Sequence, residues 1–255
     1  MRIGLWLAVL SSIGATQLSA LPVTFTGTAG NRSAIAIFEM QGANLVITLT
    51  NRATVDQNAP TDILTAFLFT LDGSPALTRV SALWPAGSDV VCGAGTATCG
   101  KPLDNVVGGE WAYKSGLNVT TGGFTSNYGI SSTGVGLFGP GDRFPGPNLQ
   151  GPDDPGGLQF GIVSKAWLPA GDNGGLSGSG FIRDSVIFTL SGLGSNSDLA
   201  KLVSNVAFQY GTDLTEPRIP GTPGRTIENV VPEPGTYALM GAGLMGLYFL
   251  KRRSV

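Results

Sequence analysis

Apolar and polar residues alternate with a period of two over several short stretches of this chain, the pattern of half-buried strands. Across 44–50, Leu45, Ile47 and Leu49 fall on one face while Val46, Thr48 and Thr50 fall on the other. Residues 65–71 follow and are closed by Asp72-Gly73, a turn-forming pair; residues 33–39 precede them. Towards the far end, 181–190 and 206–210 repeat the pattern. These runs are rich in β-branched and aromatic residues and are broken by Gly, Pro, Asn and Asp. They predict an all-β fold, an antiparallel β-sandwich. One stretch departs from it: across 197–206, Leu199, Leu202, Val203 and Val206 fit helical spacing and predict a short helix.

The centre follows neither period. Residues 134–161 contain nine Gly and five Pro, half of the 28 positions. Such a segment cannot be a central strand or a helix. Leu137, Phe138, Phe144, Leu149, Leu158 and Phe160 recur within it, which predicts an ordered loop packed on a sheet.

Both ends carry apolar runs of another kind. The N-terminus has Arg2, an apolar run over 3–15 and a small residue at Ala20. These are the parts of a signal peptide over 1–20, cleaved between Ala20 and Leu21. The run is too short to span a bilayer core, which takes about 20 residues. The C-terminus reads Val231-Pro232-Glu233-Pro234-Gly235, then no charge until Lys251-Arg252-Arg253. Residues 237–250 are about 21 Å long as a helix at ~1.5 Å per residue. Snorkelling of the basic tail makes up part of the shortfall, so one C-terminal transmembrane helix is expected. The basic cluster then stays in the cytoplasm and the body lies outside.

Val231, Pro232, Glu233 and Pro234, the apolar segment and the stop-transfer residues Lys251, Arg252 and Arg253 together resemble the PEP-CTERM sorting signal. The resemblance covers 231–255 only. It implies processing by an exosortase, a membrane-embedded transpeptidase of Gram-negative bacteria that make exopolysaccharide. It also implies that the catalytic cysteine belongs to that enzyme, so that Pro232, Glu233 and Pro234 are substrate residues. Flanking prolines keep such a site extended just outside the membrane.

Composition sharpens this picture. The chain has 255 residues, 39 Gly, 16 Pro and no histidine. Without histidine there is no Ser-His-Asp or Cys-His catalysis and no His-ligated zinc or haem. The formal net charge is −2. Without the terminal segments 1–20 and 231–255, which hold Arg2, Glu233, Lys251, Arg252 and Arg253, 11 basic residues remain against 16 acidic ones, a net of −5. An acidic body repels nucleic acid, and none is expected as a partner.

Cys92 and Cys99, with six residues of a Gly-rich loop between them in an exported chain, predict a disulfide. No metal site and no cofactor are expected. Gly134-Val135-Gly136-Leu137-Phe138-Gly139 and Gly241-Ala242-Gly243-Leu244-Met245-Gly246 fit the dinucleotide-binding spacing. The first runs into Pro140 instead of opening a helix, and the second lies in the sorting segment. No Ser sits in a Gly-x-Ser-x-Gly elbow.

Glu110, Asp142, Asp153, Asp154 and Asp172 lie in Gly-rich loops, where glycosidase acids or calcium ligands are found, although turn-forming carboxylates are commoner there. Trp84, Trp111, Tyr113 and Trp167 lie within three residues of Gly or Pro; core anchors are favoured over sugar-stacking platforms. The threonines of 24–28, 48–50 and 96–98 alternate as on ice-binding faces, but this is also ordinary strand composition.

The sequence thus predicts a signal peptide (1–20), a β-sandwich surface domain (21–230) and a sorting signal (231–255). The expected product is a non-enzymatic surface or matrix protein, tethered briefly in the inner membrane and associated with exopolysaccharide. The alternative is a carbohydrate-binding or carbohydrate-active module on the same scaffold.

Overall fold

The computed structural model describes residues 21–224, apart from 57, 96–98, 101–103, 147, 152 and 169–174. The expected signal peptide with Ala20, and the whole of 231–255 with its expected spanning segment, lie outside the described residues. Among those described, no helix is long and apolar enough to cross a membrane. Leu21 is described, and is 48% exposed.

Three strands open the chain as a meander. They are β1 (Val23–Ala29), β2 (Arg32–Gln41) and β3 (Asn44–Asn51). As expected from the alternation, Leu45, Ile47 and Leu49 are fully buried and Thr48 and Thr50 are half-exposed; Val46, expected on the outer face with the threonines, is buried as well. The chain then crosses to a second sheet with β4 (Leu64–Leu71) and returns with β5 (Thr78–Leu83). The second sheet gains β6 (Asp89–Cys92) and the hairpin β7 (Ala112–Thr121) and β8 (Phe124–Ser131). Gly122 (φ 59°) and Gly123 (φ 90°) make that hairpin's two-residue turn, where both positions need a left-handed backbone.

The remaining strands are β9 (Ile162–Val163), β10 (Gly180–Arg183), β11 (Ser185–Ser191), β12 (Val203–Tyr210), β13 (Arg218–Pro220) and β14 (Thr222–Pro223). Among the described residues, one sheet runs β14-β1-β2-β3-β11-β5. The other runs β13-β12-β4-β9-β10-β6, with β8 also on β4 and β7 on β8. All pairs are antiparallel except β9 with β10, so the second sheet is mixed instead of purely antiparallel.

The single run expected over 181–190 is two strands in different sheets. Asp184, at φ 86°, is the crossing point. Its N–H donates to the Val163 carbonyl in one sheet (2.9 Å), and its carbonyl accepts from the Asn51 N–H in the other (3.0 Å). The helix expected over 197–206 is one turn, Leu199–Leu202, capped by Asp198 Oδ1, which accepts from the Ala200 N–H (3.2 Å). Val203 and Val206 belong to β12 instead, because pairing with Leu71 and Phe69 of β4 outweighs their helical spacing.

The two inner faces interdigitate through aromatic rings. Phe38 of β2 meets Phe69 of β4 edge-on at 5.7 Å between centroids. Phe188 of β11 reaches Phe67 of β4, also at 5.7 Å. The second sheet is covered on its outer side as well. Leu68, Ala112, Leu117, Val119 and Ala207 are buried there together with Val135, Phe138 and Phe144 of the central loop. The Gly/Pro-rich segment is therefore an ordered layer on the sheet, as its apolar spacing predicts. Its glycines serve close approach: a Cβ on either Gly139 or Gly146 would overlap the ring of Phe144.

Candidate functional site

Glu110 lies where the chain enters β7, and its position is set from both sides. Next to it, Trp111 is fully buried and stands edge-on to Phe188, which fixes the backbone against the core. Before it, Gly108 and Gly109 let the central loop lie directly on the chain; a Cβ on either would overlap Gln150 or Asp153. The Gln150 N–H donates to the Gly108 carbonyl (3.0 Å), and the Leu149 N–H donates to that of Trp111 (2.9 Å). Asn148 Nδ2 donates to the Asp153 carbonyl. On the other arm, the Gly157 N–H donates to the Ser132 carbonyl (3.1 Å), and Ser132 Oγ donates to that of Gly157 (3.0 Å).

Between these arms is a cleft of about 390 Å³. Glu110, Arg143, Asp154 and Gln159 supply its polar groups; Phe144, Pro145 and Pro155 supply its apolar wall. Glu110 also lines a smaller hollow of about 190 Å³, with Asp104, Gln150 and Asp153. The Glu110 side chain is only 7% exposed. Gln159 Nε2 donates to Glu110 Oε1 over a long 3.5 Å. Glu110 Oε2 accepts no hydrogen bond, although it lies against Gly156, where a Cβ would come within 3.0 Å of it.

This environment disfavours the carboxylate. Burial pushes the Glu110 carboxyl up to about 7, and the charges of Asp153 and Asp154 add to the shift. The Arg143 guanidinium and the Gly156 backbone N–H pull the other way without cancelling it. The Gly156 N–H does so without reaching hydrogen-bond geometry.

Of the loop carboxylates singled out in the sequence, the fold therefore gathers Glu110, Asp153 and Asp154. Asp142 packs against Gly157 and does not line the cleft. Asp172 lies outside the described residues. Among the described residues, no three His, Cys, Asp or Glu side chains converge closely enough to hold a metal ion. Arg143 and Gln159 were not legible as site residues, because nothing local marks them; the loop's path alone brings them to Glu110.

The aromatic candidates are core anchors. Trp111, Trp167 and Tyr113 are buried, Trp167 standing edge-on to Phe181 at 5.6 Å, and Trp84 is half-buried on the main core. The threonine columns lie on one sheet. Thr24, Thr26 and Thr28 are on β1, and Thr48 and Thr50 on β3; the register places Ile35 and Ile37 of β2 between them. Thr96 and Thr98 lie outside the described residues. Cys92 and Cys99 form the expected disulfide, with Cα atoms 5.5 Å apart. It joins the end of β6 to the loop that packs beside Gly180.

Residues 230–253 match the PEP-CTERM protein-sorting motif. The chain therefore carries this signal, which spans Val231, Pro232, Glu233 and Pro234 and the basic residues Lys251, Arg252 and Arg253. The motif implies exosortase-dependent sorting of an exported protein that passes through the membrane. The match leaves the sandwich itself unassigned. No curated protein and no solved structure matches the chain.

Proposed function

We propose that this chain is an exosortase substrate whose sandwich is a non-enzymatic body, delivered to the cell surface and associated with extracellular polysaccharide. The sorting motif at 230–253 carries this reading. In it, the prolines on either side of Glu233 disfavour helix and sheet there, which suits recognition by a membrane-embedded transpeptidase. The uncharged stretch over 237–250 is the part that enters the membrane in this reading, and the charges of Lys251, Arg252 and Arg253 stop its passage. Cleavage after Ala20 releases the other end.

Three features of the chain support a structural role outside the cell. Its disulfide suits an oxidising compartment. The absence of histidine from the chain removes the commonest general base. The sandwich is closed on both faces of its second sheet, which gives a stable unit to display.

The test is a pair of strains, one lacking the exosortase and one carrying Pro232→Ala, Glu233→Ala and Pro234→Ala together. In both, the protein is expected to accumulate in the inner-membrane fraction at precursor mass. Release equal to that of the parent strain would contradict the sorting assignment. Turnover of matrix polysaccharide by the purified protein, abolished by Glu110→Gln, would overturn the non-enzymatic assignment.

A further inference from the structure

We propose that the cleft beside Glu110 is a binding site for a neutral, hydroxyl-rich saccharide unit, held by Glu110, Arg143, Asp154 and Gln159. This rests on the polysaccharide association proposed above and gives it an address on the molecule.

Glu110 has unmet bonding capacity. Glu110 is only 7% exposed and lines the cleft of about 390 Å³, yet its Oε2, itself buried beneath the cleft surface, has no hydrogen-bond partner. A buried polar atom left unpaired is costly, and a turn of the carboxyl towards a ligand hydroxyl in the cleft relieves that cost. In the cleft, two carboxyls, a primary amide and a guanidinium are flat ends carrying paired donors or acceptors. Neighbouring hydroxyls on a sugar ring offer the complementary donor–acceptor pairs. Pro145 and Phe144 supply an apolar wall for the C–H face of the ring.

Charge then selects among ligands. Asp154 in the cleft and Asp153 in the adjoining hollow stand against the single guanidinium of Arg143, so a uronate or a phosphorylated sugar is disfavoured. A cation is disfavoured by geometry, because these carboxyls do not converge on one point. The site is also largely preformed: the Gly108, Trp111 and Ser132 carbonyls accept from the Gln150, Leu149 and Gly157 N–H groups and hold both arms of the loop in place. Little ordering is left to oppose binding.

The probe is the set of oligosaccharides released by mild acid hydrolysis from the neutral fraction of the producing cells' own matrix. It is titrated calorimetrically into the processed protein recovered from those cells. Oligosaccharides from the acidic fraction, and calcium chloride, serve as contrasting probes. The neutral oligosaccharides are expected to bind, and Glu110→Gln and Gln159→Ala each to weaken binding at least tenfold with near-UV circular dichroism unchanged. No binding of the neutral set, or affinity unchanged in Gln159→Ala, would overturn the site. So would tighter binding of the acidic set, or a calcium affinity lost in Glu110→Gln. Cosedimentation with intact matrix separates the two levels of the claim. Retention that survives both substitutions removes the cleft but leaves the association standing, whereas wild-type protein that fails to cosediment removes the association itself.

Discussion

Trp111 stands edge-on to Phe188, with ring centroids 5.0 Å apart and planes at 61°. One residue precedes β7 in the second sheet and the other lies on β11 in the first, so the contact ties the two sheets together. It also sets the backbone next to Glu110. The indole that resembles a sugar platform in the sequence thus anchors the core and positions the cleft.

Trp111→Ala is expected to cost about 3–5 kcal/mol of stability, the usual range for removing a buried aromatic. Trp167→Ala, packed on Phe181, is expected to fall in the same range, and the half-buried Trp84 to cost less. Urea unfolding followed by circular dichroism measures all three. Wild-type stability in Trp111→Ala would contradict the packing described.

Stability should depend on pH through Glu110. Its carboxyl is pushed from 4.5 to about 7 in the folded chain, so the folded state holds a proton that the unfolded state has released between those values. This contribution is complete below about 4.5 and is lost as pH rises through about 7. The loss is at most on the order of 3 kcal/mol. Glu110→Gln should flatten that part of the profile and unfold at higher urea than wild type at pH 8. A wild-type profile rising from pH 5 to 8 and unchanged by the substitution would contradict the burial of this group.

Half of the fold was legible from periodicity, and the failures have physical causes. The faces of β3 were readable because one side packs on the core and the other meets solvent. The stretch over 181–190 was not separable, since both halves alternate correctly for the sheet each joins. Only the left-handed backbone at Asp184 divides them, and Asp gives no local warning of it. β4 is buried on both faces, because the central loop covers its outer side, and so its residues do not alternate in exposure.

The order of that loop can be tested through the glycines around Phe144. Gly139→Ala or Gly146→Ala would push a methyl group into the ring, and overpacking of this kind costs about 1–3 kcal/mol. The loop should then become more open to proteolysis than β4 beneath it. Limited proteolysis with mass mapping checks this, and cleavage no faster than in wild type would contradict the docked loop.

Removing the disulfide by Cys92→Ser and Cys99→Ser should cost about 2–3 kcal/mol on the chain-entropy model, since the closed loop is short. Unfolding of the oxidised wild type against the double variant measures it. Identical midpoints would show that the bridge constrains nothing in the unfolded chain.

At the site itself, Glu110 and Asp153-Asp154 were visible as carboxylates among glycines. Their gathering was not, because it depends on a loop folding back over more than 30 positions. The sorting signal is the opposite case. Its parts are contiguous, and order along the chain is the whole of the information, so the sequence alone discloses it.

Mass spectrometry of both termini of the protein recovered from the cell surface tests the central claim most directly. The account predicts a chain beginning at Leu21 and lacking the basic tail Lys251–Arg253 in cells with an active exosortase. A surface species still ending at Val255 in those cells would contradict it.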